Sequence, residues 1–369
     1  MTLPAGGLIV AAHGVGRDLA AGEEAMQKEG SPRVPKGQAG GRGLRRRALI
    51  GTAIGTALGG AGAARAQSGA AAPWPGQPVR LVVGYTAGGP TDFVARLFQE
   101  PLQQLWGQPV VIENRPGASA VLATEFVSHA APDGYTLLLA TSVQASNPAI
   151  YPKLPYDSLR DFTPIALLYA SPTVLLVKAN SPLKTAADVV ALARKEGPLA
   201  FASSGNGSSG HFAGGMFARK AGVELAHIAY RGASPALQDV VGGRVPITFS
   251  TLSGALPLVQ GGALRAIAVC GPQRVETLPG VPTLAESHLD IPDTSPWFGL
   301  VGPAGLPPAV LQRIAADART VLRRPETRRR IIDQGGFVID EGPEEFAARI
   351  RREMAESIAV AKELGIHAD

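Results

Sequence analysis

Two short stretches carry residue types suited to meeting an anion. Residues 202–215 read ASSGNGSSGHFAGG, in which Gly205-Asn206-Gly207-Ser208-Ser209-Gly210 fits a G-x-G-x-x-G turn letter for letter. Residues 84–92 read GYTAGGPTD and place Tyr85, Thr86, Gly88, Gly89, Thr91 and Asp92 directly after an apolar run. Glycines let backbone approach a ligand closely, and short hydroxyls donate hydrogen bonds. A helix that starts at such a loop leaves its first N–H groups unpaired and turns its positive end toward any negative charge. Ser203, Ser204, Asn206, Ser208 and Ser209 enrich the later stretch in such donors. The shared chemistry is anion capture.

A dinucleotide is one anion that fits the pattern, and it needs a preceding strand, a following helix and an acid about 20 residues on. The strand LAFAS and a helical pattern are present, but the next strand, LAHIAY, runs into Tyr230-Arg231-Gly232 without an acid. Glu224 stands before that strand, at the wrong end to reach a ribose. NAD is therefore not expected, nor any other cofactor. Ser208 and Ser209 lie near His211, but Gly207 opens no G-x-S-x-G elbow because its fifth position is His211. The six histidines are scattered singly, without metal-ligand spacing. The expectation is a binding protein rather than an enzyme, with an exported serine hydrolase as an alternative.

Strands and helices alternate along the elements that hold these cradles. VRLVVGY precedes the helical TDFVARLFQEPLQQLWG, PVVIEN precedes AVLATEFVSHAA, and YTLLLAT follows a turn at Asp133-Gly134. A second series starts near Thr173 with TVLLVK and runs through LAFAS, LAHIAY and VPITFS to LRAIAV, with helical patterns between them. Such alternation predicts two α/β domains, each a mostly parallel sheet flanked by helices. One cradle lies in each, so two helix tips can face one cleft, an arrangement suited to a small molecule with two anionic groups. The loops Asn114-Arg115-Pro116-Gly117, Thr141-Ser142, Tyr230-Arg231-Gly232 and Ser250-Thr251, at other strand ends, should line the same cleft, with Arg231 either a fork for a carboxylate or a surface charge. Crossovers are expected near Ser171 and between Ile291 and Pro296. Near the C-terminus, Phe346, Ile350, Met354 and Ile358 recur every four residues as the buried stripe of a docked helix.

The net charge of +5 invites a polyanion partner, but residues 1–66 hold 9 Lys/Arg against 4 Asp/Glu, which leaves 26 of each beyond. A nucleic-acid partner is not expected. Arg45-Arg46-Arg47, an Ala/Gly-rich run and Ala64-Arg65-Ala66 read as an export leader, of general or twin-arginine type. Cleavage there starts the mature chain at Gln67, in the periplasm; the residues before the triplet are long for a leader. Cys270, the single cysteine, sits in an apolar run and reads as core.

At these motifs the sequence resembles the tripartite tricarboxylate transporter receptors, the Bug family of extracytoplasmic solute-binding proteins. The likeness rests on WPGQPVRLVV, GGPTDFVAR, GQPVVIENRPGA, APDGYTLLLAT, LPYDSLRDFTPIA, ASSGNGSSGH and YRGASPALQDVVGG, in order from about residue 74 to the end. It implies a type II-like two-domain periplasmic binding protein fold, with residues 74–172 and 296–369 in one domain and 173–295 in the other. It also implies a monomer that closes on a small organic di- or tricarboxylate and hands it to membrane permease subunits; presentation to a membrane sensor is the alternative. The ligand loops carried over are Tyr85 to Asp92 and Ser203 to His211. Three departures stand out: Pro90 replaces a third glycine, Ala118-Ser119-Ala120 replaces a glycine-richer run, and Ser250 replaces an aspartate, which favours a plain carboxylate over an amino acid.

Overall fold

The computed structural model of the chain describes residues 74–367. The leader and the cleavage site at Ala66 lie outside the described residues. The first part of the chain runs β1 (Val79–Val83), α1 (Pro90–Trp106), β2 (Val110–Asn114), α2 (Val121–Ser128), β3 (Thr136–Thr141), α3 (Val143–Ile150) and β4 (Phe162–Ala170). The second part runs β5 (Thr173–Lys178), α4 (Ala186–Glu196), β6 (Leu199–Ser203), α5 (Ser209–Ala221), β7 (Leu225–Ala229), α6 (Ala233–Val241), β8 (Ile247–Thr251), α7 (Leu252–Gln260) and β9 (Leu264–Val269). The chain closes with β10 (Trp297–Pro303), α8 (Pro308–Leu322), α9 (Pro325–Asp333), β11 (Phe337–Glu341) and α10 (Pro343–Leu364).

These strands form two sheets, ordered β11-β4-β10-β3-β1-β2 and β7-β6-β8-β5-β9. Helices cover both faces of each. Val83, Phe98 and Leu139 pack on one face of the first sheet, and Val82, Leu138 and Phe346 on the other. The second sheet is built likewise around Phe201 and Phe249 on one face and Ala202 and Leu252 on the other. This is the two-domain periplasmic binding protein fold, and all of it falls within one compact unit, Ser68–Asp369.

The sheets are mostly parallel in strand direction: eight of the eleven described strands run one way within their sheets, with β10 and β11 reversed in the first and β5 in the second. β1 pairs parallel with β2 and β3, and β6 with β7 and β8, but β4, β10 and β11 in the first sheet and β5 and β9 in the second add antiparallel pairs. The reason is topological. The chain passes from the first sheet to the second between Ala170 and Thr173 and returns between Val269 and Trp297. A strand that enters a lobe from the cleft must run away from it, against strands whose carboxyl ends face it.

Two glycines set α5 close to its sheet. A Cβ on Gly210 would stand 2.1 Å from the Phe249 carbonyl oxygen, and one on Gly214 would stand 2.3 Å from the Phe201 ring. The four-residue spacing puts both on one helical face, so α5 seats deeply and its N-terminus projects over the ends of β6 and β8. The four-residue stripe of α10 holds only in part: Phe346 and Ile350 are buried, whereas Ile358 is 47% exposed. Steps of four overrun a 3.6-residue turn by about 40° each, so Ala361 takes the inward place instead. Cys270 is fully buried as expected, and burial pushes its thiol pKa well up.

Candidate functional site

The first tip is assembled by Asp92. Pro90 begins α1 with its fixed φ, after Gly89 in extended conformation, and no side chain caps from the N-cap position. Asp92, on the first turn, instead reaches back. Its carboxylate accepts from the Gly88 amide (3.0 Å), Arg96 Nε (2.8 Å) and Asn114 Nδ2 (3.2 Å). Burial alone would raise its pKa; the hydrogen bonds from Arg96, Gly88 and Asn114 outweigh burial and hold the carboxyl below its usual range. Asp92 and Gly88 thus fold the loop and are spent on each other. Among the described residues the amides of Thr91 and Asp92 make no hydrogen bond.

The second tip is held by two histidines. Ser208 caps α5 by accepting from the His211 amide (3.3 Å), and the Gly207 amide donates to His211 Nδ1 (3.2 Å). The His211 ring stacks on His227, with centroids 3.7 Å apart and planes 13° from parallel. Ser203 Oγ lies 2.6 Å from His227 Nε2, donates to the Gly205 carbonyl and is met by Ser208 Oγ. Desolvation lowers the His211 pKa to about 4, and desolvation with the neighbouring ring lowers that of His227 to about 3. Both rings are neutral at pH 7, and Nδ1 of His211 is thereby free to accept. Neither Ser208 nor Ser209 offers its hydroxyl to an imidazole among the described residues, so no nucleophile is set up at this tip.

Both tips border one small cavity of about 30 Å³. Tyr85, Gly89, Thr91, Thr141, Ser142, Ser204, Ser208 and Ser209 line it. Pro90 and Thr251, within the expected loops, join them, as do Val143, Ala233, Pro296 and Phe298, which were not foreseen as lining. Their placement adds a pattern. Ser142 and Val143 open α3, Ala233 opens α6, and Thr251 is the N-cap of α7. With α1 and α5, five helix N-termini reach the same cavity. The first two amides of α7 are spent on the Pro172 carbonyl and Ser171 Oγ, whereas those of Ser209 and Gly210 at α5 make no hydrogen bond among the described residues. No lining residue carries a formal charge. Each helix end acts as roughly half a positive charge, so the field in the cavity comes from backbone. Burial keeps the Tyr85 phenol far above its usual pKa, with Thr141 beside it partly offsetting, so that hydroxyl stays protonated and available as a donor.

Other residues expected at the site lie elsewhere. The Thr86 hydroxyl is buried without a partner beside the cavity, close to Gly232 of the other lobe. Gly205, Gly207 and His211 support the second loop, and Asn206 opens onto a different groove with His227. Tyr230 gives its hydroxyl to Asp239 (2.5 Å), and Arg231 is exposed outside the cavity, so it is no carboxylate fork here. Ser250 is buried in β8 opposite Val174, while its neighbour Thr251 turns inward. Glu224 stands at the start of β7, as the rejection of a dinucleotide required.

The model of the tripartite tricarboxylate transporter family receptor matches residues 94–366. A Cupriavidus necator protein encoded in the gbd 5' region is 38% identical over 288 residues, covering 76% of this chain and 85% of its own. Protein BugT of Bordetella pertussis is 31% identical, covering 81% and 94%. Among solved structures, an R. palustris protein with adipate superposes with TM-score 0.77 at 32% identity, covering 80% of this chain and 99% of that one. MatC from Rhodopseudomonas palustris with bound malate gives 0.74 at 31%, covering 78% and 99%. The periplasmic binding protein BugD gives 0.76 at 29%, covering 80% and 100%.

Proposed function

The chain belongs to the tripartite tricarboxylate transporter receptor family, a family of solute receptors rather than enzymes, and from that premise we propose that it captures a small organic carboxylate in the periplasm and hands it to the membrane permease of such a transporter. The observation that carries this reading is the convergence of five helix N-termini on a cavity without a charged side chain. Such a site holds an anion by preorganised amides and dipoles. The ligand contacts in this reading are Tyr85, Gly89, Thr91, Thr141, Ser142, Ser204, Ser208, Ser209 and Thr251. The two structural relatives with adipate and malate support a carboxylate.

Capture works by hinge closure. Residues 74–172 with 296–369 form one lobe and 173–295 the other, hinged at residues 171–172 and 291–296. A cavity of 30 Å³ accommodates about two waters. A carboxylic acid therefore enters while the lobes are apart and is enclosed when they close. Export follows from the leader, with the mature chain starting near Gln67.

A thermal-shift screen of the mature protein against organic acids, nucleotides and sugars tests the reading. A ligand at 100 times its dissociation constant adds about 2.7 kcal/mol of stability. Melting should rise with one or more carboxylates, adipate and malate being the first to try. A rise with nucleotides or sugars alone overturns the carboxylate assignment. Deletion of the gene should abolish uptake of the acid that binds.

A further inference from the structure

Behind the small cavity lies a second, larger one of about 400 Å³, within the range of small-molecule sites. Ser142 and Ser209 line both. The two cavities are therefore neighbours that share this wall. Its walls come from both lobes: Phe212 and Met216 of α5 face Trp297 of β10 and Val360 of α10.

The two compartments differ in electrostatics. The small one is uncharged and ringed by helix N-termini. The larger one is bordered by Asp293, Glu353 and Glu356 against a single cation, Arg349. That guanidinium is already spent: Nε donates to Glu341 Oε2 (2.9 Å), one terminal nitrogen also goes to Glu341, and the other reaches Glu353 Oε1 (3.2 Å). The remaining Glu353 oxygen accepts from Trp297 Nε1 (2.5 Å). A second carboxylate placed here would meet acids and no free cation, whereas an apolar chain, an aromatic ring or an ammonium group would meet matching walls.

We propose that the cleft is a two-compartment site: one carboxylate sits between the helix tips, and the body of the acid passes Ser142 and Ser209 into the acid-lined aromatic chamber. The inference rests on the carboxylate reading above and narrows it. The tips all border the same small cavity, so one carboxylate held there meets all of them. The class of ligand is then a monocarboxylate with a body of four or more atoms ending in an apolar, aromatic or cationic group, in place of the di- or tricarboxylate that two separate tips suggested.

Calorimetric titration of the mature protein with adipate, hexanoate, 4-phenylbutyrate and 6-aminohexanoate provides the test, with acetate and malonate as acids too short to reach the chamber. The chain-bearing monoanions and the amino acid should bind at least tenfold tighter than adipate. Ser357→Trp, on the half-buried chamber wall of α10, should weaken them at least tenfold while leaving malonate within twofold. Glu356→Gln combined with Asp293→Asn should improve adipate severalfold and weaken 6-aminohexanoate. Adipate binding as tightly as hexanoate, with Ser357→Trp without effect on either, overturns the two-compartment site and leaves the carboxylate receptor standing. Binding of no acid of any length by wild type overturns both.

Discussion

At the scale of single residues, the segment Ala118-Ser119-Ala120 shows what side chains on left-handed backbone cost. All three adopt left-handed backbone, with φ of 45°, 50° and 67°. Where a glycine takes such angles freely, an L-residue loses about 1 kcal/mol or more. The segment is held there by Asn147 Nδ2, which donates to the Ser119 carbonyl, and by Ala120 seated against Tyr85 and Val143. Ser119→Gly should raise stability by about 1 kcal/mol, near 2 °C in melting temperature by calorimetry; an unchanged or lower value would show that the loop carries no strain. The stacked histidines give a second prediction. Their folded pKa values, about 4 and about 3, lie below the unfolded 6.5. The unfolded chain therefore takes up protons first as pH falls, and stability present above pH 6.5 is lost progressively down to about pH 3. For His211 alone the loss is on the order of 3 kcal/mol. Urea titrations of wild type should show that slope, and His211→Gln with His227→Gln should flatten it. None of this pairing was legible in the sequence, because 16 positions separate the two rings and only the seating of α5 over β7 brings them together. Asp92 shows the same limit: its type and position announce a polar role, but the choice between ligand contact and loop anchor was made by Asn114, 22 residues away.

Among the elements, legibility followed hydrophobic pattern. Strands such as TLLLAT and TVLLVK, and the helices α1, α4 and α10, announce themselves by apolar periodicity and Gly or Pro boundaries. The short α3 and α7 do not. α3 has eight residues, contains Pro148 and buries Gln144, Ser146 and Asn147; α7 contains Pro257 and Gly254. Their signal is polar or broken, so the tips of α3 and α7 were legible only as loops at strand ends, while the two glycine-rich ones stood out. The β4 and β10 pair escaped similarly, since bulges in their register and Pro164 blur the alternation. The depth at which α5 sits yields a prediction at this scale. Gly210→Ala brings a methyl against the Phe249 carbonyl, which cannot swing aside as a side chain would. The helix must lift, at a cost of about 1–3 kcal/mol, and carry its tip out of register with α1. Binding should fall at least tenfold in titrations with whichever acid the screen identifies, whereas Gly222→Ala at the far end of the same helix, where added atoms meet open space but φ is +61°, should cost stability without weakening binding.

For the molecule as a whole, the decisive quantity is the balance between parted and closed lobes. Among the described residues, contacts between the lobes include the Arg219–Glu363 ion pair (2.6 Å) and the apolar cluster of Ile150, Phe212 and Ala361. Ser146 Oγ donates to the Gly207 carbonyl (2.7 Å), Ser234 Oγ to the Ala87 carbonyl (3.4 Å), and Gly254 packs against Pro90. A typical hydrogen bond contributes about 1 kcal/mol net, and the Phe212 cluster adds apolar burial to closure, so a bound anion adds its own preference to these contacts. A ligand shifts such an equilibrium only by its preference for one state. The preference here has a clear origin, since α1 and α3 belong to one lobe and α5, α6 and α7 to the other, so the anion meets both sets of helix ends only when the lobes are together. Ser146→Ala removes the hydrogen bond to the Gly207 carbonyl and leaves the amides of both tips in place. Its melting temperature without ligand should stay within about 2 °C of wild type, because the lost bond serves closure more than folding of either lobe. Its affinity should fall about fivefold, the equivalent of 1 kcal/mol, and small-angle scattering without ligand should show a larger mean radius of gyration than wild type. Equal affinities and equal radii would mean that closure is governed by packing at the hinge, independently of the contact at Gly207.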